Sequence, residues 1–235
     1  QMCIRDRETS DPIPVITIDG PSGSGKGTIT YRTAGALGFH ILDSGALYRL
    51  VGLAAAQKGL DLDNESSVAE LVPSLDIRFA GSKRLDDPLD VFLDGTNVSA
   101  EIRTDEAGVH ASRVASMASV RAALQDLQLS FRREPGLVAD GRDMGTLVFP
   151  DAPVKVFLTA SAEARAERRH KQLKHKGLSV NLASLLRSIQ DRDERDRSRE
   201  VAPLRPAADA VAIDSTDMSI DDVVDAVLSL AHKRL

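Results

Sequence analysis

The stretch that decides the fold is VITIDGPSGSGKGT, residues 15–28. A short run of β-branched residues meets a glycine-rich turn, and a helix-compatible segment follows. Gly20, Gly25 and Lys26 stand in the register of the phosphate-loop pattern G-x-x-x-x-G-K-[ST]. Glycines at 20, 23 and 25 let the backbone curl so that successive N–H groups point into one concavity. The N-terminus of the next helix adds its own unsatisfied N–H groups, which makes an anion nest. Within the loop (Gly20, Pro21, Ser22, Gly23, Ser24, Gly25, Lys26, Gly27, Thr28) the ammonium of Lys26 is placed to reach β- and γ-phosphates. The pattern breaks at its last position: Gly27 stands where Ser or Thr is expected, and the hydroxyl arrives one residue late, at Thr28. Where that hydroxyl is present it ligates Mg²⁺, and glycine cannot. The expectation is therefore a Mg²⁺ held through phosphates and water, with no direct protein ligand, and a Thr28 that contacts phosphate.

Outward from the loop, helix and strand alternate. Strands are expected at 14–19, 39–42, 136–140, 154–160 and 210–214. Helices are expected at 26–37, 46–58, 104–117, 120–133, 162–176, 182–199 and 219–234. Asp43 or Ser44 can cap the helix after the second strand. Between about 60 and 105 the texture changes: 75–80 and 90–93 alternate apolar and polar residues around the polar segment GSKRLDDPLD. This predicts a small antiparallel insertion with a mobile outer loop. The fold class that follows is α/β, a three-layer sandwich around a central parallel sheet, with ligands bound at the carboxyl ends of its strands. The turns after Asp19, Leu42, Asp140 and Ala160 all fall there.

Composition limits the alternatives. With 235 residues, 3% aromatics and no Trp, the interior must be filled by Ala, Val, Leu and Ile. A net charge of −5, with Arg runs interleaved with acids, gives no signal for a nucleic-acid polymer. The single cysteine, Cys3, allows no internal disulfide and fits a reducing compartment. No apolar run reaches the ~20 residues of a membrane span, so a cytoplasmic monomer with no membrane partner is expected. Residues 1–7, with their MCIRDR run, read as an assembly artefact, a natural tail being the alternative. The five histidines show neither metal-ligand spacing nor a triad, and His40 and His110 read as structural. No Asn-Lys-x-Asp guanine-reading motif is present.

The glycine-for-hydroxyl ending G-K-G-T resembles the nucleoside-monophosphate kinases. With it occur, in order, LDSGALYR (42–49), EIRT (101–104), VADGRDMGTLVFPDAPVKVFL (138–158), RDERDRSR (192–199) and APLRPAADAVAIDST (202–216). Together they resemble the bacterial cytidylate kinases from about residue 14 to the C-terminus, least closely at 61–95. The resemblance implies a core at 14–60, 104–164 and 200–235, a tail at 1–13, a monophosphate-binding insertion at 61–103, and a short helical lid with its flanking helices at 165–199. It implies ATP and Mg²⁺ as donor and cofactor, and CMP and dCMP as acceptors.

It also assigns residues. Arg49 and Arg142 hold the acceptor phosphate, and Asp43 and Ser44 open its pocket. Ser112, Arg121 and Asp143 surround the cytosine, and Asp196 binds ribose hydroxyls. Arg192 and Arg199 bridge phosphates and carry transition-state charge alongside Lys26 and Arg142. Arg168, with Arg169, touches donor phosphate or adenine. The chemistry agrees: phosphoryl transfer brings two anions together, and arginine's planar fork binds phosphate bidentately. Cytosine's amino group suits Asp143 as acceptor, whereas uracil would present an oxygen there. On a helix, Arg192, Arg195 or Asp196, and Arg199 share a face; Asp191–Arg195 and Arg192–Asp196 are also possible ion pairs. Asp140 orders magnesium-bound waters or caps its turn. The alternatives are a UMP, AMP or shikimate kinase, and a non-catalytic nucleotide-binding module. The insertion and DGRDMGT weigh against the kinases, and the second arginine pocket weighs against the module.

Overall fold

The computed structural model describes residues 12–84, 87–175, 177 and 179–235. Five parallel strands form the central sheet: β1 (Val15–Asp19), β2 (His40–Asp43), β6 (Leu137–Gly141), β7 (Val154–Thr159) and β8 (Val211–Asp214), in the order β2-β6-β1-β7-β8. Because all five run the same way, their carboxyl ends share one edge. Asp19 lies opposite Gly141, Asp43 opposite Asp140, and Thr159 opposite Asp214. That edge is where the sequence places its four ligand-bearing turns.

β1 and β6 are buried along their whole length, as central strands covered on both faces must be. One face packs α1 (Lys26–Leu37) and α8 (Ile220–Arg234) over Ile16, Ile18, Val138, Val156 and Leu158. α8 starts with a capping box: Ser219 Oγ accepts from Asp222 N–H, and Asp222 accepts from Ser219 N–H. The other face packs α2 (Ser44–Gln57), α4 (Asp105–Val114) and α5 (Ala118–Leu129) around Leu47, Leu50, Leu124, Leu137 and Phe149. α6 (Ala162–His175) and α7 (Leu182–Ser198) follow β7 and pack on each other. Among the described residues no helix is long and apolar enough to cross a membrane.

Three expectations change. β3 (Ile77–Arg84) and β4 (Asp87–Leu93) take in most of the segment read as a polar connector, pairing from Ile77↔Leu93 to Arg84↔Asp87. Backbone hydrogen bonds carry this ladder, so apolar alternation marks only its inner part. A third short strand, β5 (Thr96–Asn97), extends the antiparallel sheet to the order β3-β4-β5. The insertion also contains a helix, α3 (Glu65–Leu71), absent from the sequence reading. Its signals are Asn64, whose side chain caps Ser67 N–H, and the buried pair Val68 and Leu71. The outermost loop (residues 85 and 86), Lys176 at the expected end of α6, and the artefact reading of 1–7 fall outside the described residues.

Candidate active site

The phosphate loop follows β1 directly. Gly20 is required by close approach: a Cβ there would sit 2.0 Å from the carbonyl oxygen of Leu158 on β7. Gly25 caps α1 with φ 94°, a left-handed conformation that favours glycine, and no side chain occupies the cap. The first turn of α1 also carries no acidic residue, so its N–H groups are not neutralised locally. Pro21, Ser24 and Lys26 turn inward, whereas Gly23, Gly25, Gly27 and Thr28 are exposed. Thr28 therefore stands on the loop's open side, beside the nest. Lys26 Nζ donates to the Pro21 carbonyl at 2.8 Å, and Ser24 Oγ to the same oxygen at 3.1 Å. Burial and the nearby Arg142 both depress the Lys26 ammonium, against the pull of Asp140 and Asp19. Gly27 faces Asp140, and a Cβ at 27 would lie 3.7 Å from Oδ2. Asp140 is buried, and burial followed by repulsion from Asp43 raises its carboxyl.

Asp19 is a candidate site residue that the sequence alone did not single out. Its two carboxylate oxygens accept from Met144 N–H (2.9 Å) and Gly145 N–H (2.8 Å), fixing the chain beyond Arg142 and Asp143. Burial pushes its carboxyl up to about 6. An acid ending an otherwise apolar central strand was the available signal. Met144–Val148 itself winds as a single π-helical turn, with Met144, Gly145 and Val148 buried.

The second pocket is assembled from distant parts of the chain. Asp43 caps α2, accepting from Ala46 N–H at 2.9 Å, and Ser44 lies buried beside it. Gln128 of α5, also buried and absent from the sequence reading, donates from Nε2 to Ser44 Oγ at 3.0 Å. Arg121 and Asp143 form an ion pair at the pocket wall, and Arg121 lies 5.6 Å from the Tyr48 ring centre. Burial raises the Asp143 carboxyl despite this partner. Asp196 receives Arg142 Nε at 2.8 Å and Arg199 Nη2 at 2.5 Å, and Arg199 also donates to Ser112 Oγ at 3.0 Å. Burial acts to raise Asp196, but these guanidinium groups outweigh it and hold its carboxyl low. Ser44, Tyr48, Ser112, Arg121, Asp143 and Asp196 line one cavity together with Arg142, Arg192 and Arg199.

Arg49 and Arg192 both reach over α4. A Cβ on Gly108 would meet Arg192 Nη1 at 3.0 Å and Arg49 Nη2 at 3.3 Å. Arg49 Nη1 donates to the Ile102 and Thr104 carbonyls, at 2.5 and 3.2 Å. Arg192 Nε is buried with no hydrogen-bond partner among the described residues. Burial, then repulsion from Arg142 and Arg49, lowers its guanidinium to about 9. A buried donor without an acceptor, among cations that repel one another, is stabilised by an anion.

The sequence as a whole matches a known family. The cytidylate kinase family profile matches residues 16–233. The chain belongs to the cytidylate kinase family. It is 56% identical over 218 residues to a cytidylate kinase of Stutzerimonas stutzeri (strain A1501), covering 93% of this chain and 95% of that one. To the cytidylate kinase of Methylococcus capsulatus (strain ATCC 33009 / NCIMB 11132 / Bath) it is 54% identical over 222 residues, 94% of this chain and 98% of that one. To that of Klebsiella pneumoniae (strain 342) it is 53% identical over 223 residues, 95% and 97% respectively.

In this member of the cytidylate kinase family, the three arginines at the start of α6 separate. Arg168 turns from the cavity toward the phosphate loop, donating to the Ser215 carbonyl at 2.5 Å and, at 3.5 Å, to the carbonyl of Ser24 in that loop. Arg169 pairs with Asp105 of α4 at 3.1 Å. Arg165 turns into the interior. On α7, Arg192 and Asp196 face the cavity, and Arg199, just past the helix end, joins them. Arg195 instead donates to the Asp191 carbonyl at the surface.

Proposed function

We propose that the chain transfers the γ-phosphoryl group of ATP to CMP and dCMP, giving CDP and dCDP by direct in-line displacement, and acts as a cytoplasmic monomer. The observation that carries this reading is the arginine cluster. Arg142, Arg192 and Arg199 converge around one central carboxylate, Asp196, Arg49 lies beside Arg192 over Gly108, and the charges of Arg142 and Arg192 act on Lys26 of the phosphate loop. A site that only holds a nucleotide needs the loop alone, whereas joining two phosphates needs a second set of fixed cations.

The nucleophile is a phosphate oxygen already ionised near neutral pH, so no general base is needed. Arg49 and Arg142 hold the acceptor phosphate; Arg192 and Arg199 bridge toward the transferred group, where charge on its equatorial oxygens grows. Asp196 takes the ribose hydroxyls. Asp143 accepts from the cytosine amino group and Arg121 donates to the ring acceptors, exchanging their mutual ion pair for contacts with the base. Asp43, Ser44 and Ser112 complete that pocket. The glycine loop with Thr28 receives the donor phosphates, and Arg168 stands on the donor's base side. Mg²⁺, when bound, would supply neutralisation of phosphate charge. Asp140, whose carboxyl lies behind Gly27, would hold that ion through water. In this reading α6 and α7 belong to a lid that excludes water as a competing acceptor.

The test is a coupled ADP-release assay with ATP-Mg²⁺ and a panel of monophosphates. Turnover on CMP and dCMP well above UMP and AMP is the expected result. A preference for UMP or AMP would overturn the acceptor assignment, and no turnover with any acceptor would overturn the enzyme reading.

A further inference from the structure

Arg165 is 2% exposed and Asp193 4%, yet neither faces the acceptor cavity. The two form a bidentate pair: Nη1 to Oδ1 at 3.0 Å and Nη2 to Oδ2 at 2.5 Å. The remaining donors of Arg165 go to main-chain carbonyls at the ligand edge of the sheet. Nε donates to Ala160, just past β7, at 3.0 Å, and Nη1 also donates to Ser22 of the phosphate loop at 3.0 Å. The loop lies on the arginine's stem as well, since a Cβ at Gly23 would touch Arg165 Cβ at 3.5 Å. One guanidinium thus joins the phosphate loop, the end of β7 and α7.

Asp193 sits one residue after Arg192, three before Asp196 and six before Arg199. Successive side chains on a helix turn by about 100°, so any rotation of α7 about its axis carries these three groups together. Arg192 Nε has no partner of its own, and its position is therefore inherited from the register of α7. A further tie between α7 and the sheet, among the described residues, is Asp196 to Arg142. On the functional assignment above, on which this inference rests, that tie is disturbed whenever Asp196 turns to the ribose. The Arg165–Asp193 pair includes none of the residues assigned to substrate above, so on that assignment substrate binding leaves it intact.

We propose that Arg165 and Asp193 are positioning residues: they hold the arginine-bearing face of α7 in register with the phosphate loop, so that donor and acceptor phosphates meet in line. Misplacement by a fraction of an ångström in such a site costs rate far from the mutated atoms.

The experiment compares wild type with Asp193→Asn, Arg165→Lys, Arg192→Ala and the double variant Asp193→Asn/Arg192→Ala, assayed well below each melting temperature. Asp193→Asn is expected to lower kcat about 10- to 100-fold while changing KM for ATP by less than about threefold. Arg165→Lys, which keeps the charge but loses the fork, is expected to show the same split. The discriminating readout is the cycle: Asp193→Asn should cost clearly less once Arg192 is gone than it costs in wild type, because part of its effect runs through that residue. Wild-type kcat in folded Asp193→Asn, losses that multiply in the double variant, or a loss that only tracks the folded fraction would each overturn the proposal. Wild-type turnover of a different monophosphate would overturn the CMP assignment, and the same cycle is then read on that substrate; no turnover of any acceptor overturns both.

Discussion

The two halves of the site are built in opposite ways. The proposed donor half is chiefly one continuous stretch, Gly20–Thr28, with backbone N–H dipoles shaped by glycine conformations and a helix end. The proposed acceptor half gathers side chains from α2, α4, α5, the end of β6 and α7, separated by as much as 155 residues of chain (Ser44 to Arg199). Its working groups are guanidinium ions held near one another by Asp196, Asp143 and carbonyl oxygens. A backbone nest tolerates exchange of the side chains around it. A side-chain cluster of like charges depends on each member and on the scaffold that confines it.

The sharpest test of that contrast is Arg142→Ala. Arginines that carry transition-state charge contribute ~10³–10⁵ in rate, and kcat is expected to fall in that range. The melting temperature should move little, because Asp196 keeps Arg199. Near-normal turnover in the folded variant would show that the acceptor half does not work as a side-chain cluster.

A smaller effect is expected at the base end. Asp143→Asn puts an amide donor where the carboxylate offers only acceptors, so the kcat/KM ratio of CMP over UMP should drop about 10- to 100-fold, the worth of one charged hydrogen bond. An unchanged ratio would remove Asp143 from base recognition.

Asp19 connects the halves, and its titration gives a third test. Its carboxyl, raised to about 6 by burial, is ionised above that pH and protonated below it. Only the ionised form accepts from both the Met144 and Gly145 N–H groups. kcat should therefore fall as pH drops through about 6, on top of the substrate phosphate's own ionisation at ~6. Asp19→Asn should be slow at every pH and retain only the substrate's limb. A wild-type-like profile in that variant would show that the hold on Met144 and Gly145 is dispensable.

The smallest effect belongs to the donor half. In Gly27→Ala the new methyl meets Asp140 at ordinary contact distance, so turnover should stay within about threefold of wild type and melting should be unchanged or slightly higher. A severe loss would mean that the gap at Gly27 is itself used.

Legibility followed the same division. The phosphate loop, the five core strands and the helices around them were readable because glycine placement and apolar periodicity are local signals. β5 is two residues long, too short to show a period, and α3 is a seven-residue helix marked only by its cap and two apolar positions. Arg192 and Arg199 could be nominated from their helical spacing and a family resemblance. Nothing local separates Arg165, Arg168 and Arg169, which sit on one turn of α6 and go to three different places. Asp19, Gln128 and Asp193 were missed for one reason: each does its work by bonding to a residue at least 28 positions away.

The sequence alone determined that this chain would wind a parallel sheet behind a phosphate loop and would carry enough arginine for a second anion, because those properties follow from backbone geometry and residue type within short windows. Only the tertiary structure decided which arginines face the cavity and which brace it. That outcome is set by burial: a guanidinium removed from water goes wherever carboxylates and carbonyls can satisfy it, and in this fold those acceptors come from strands and helices far apart in the chain.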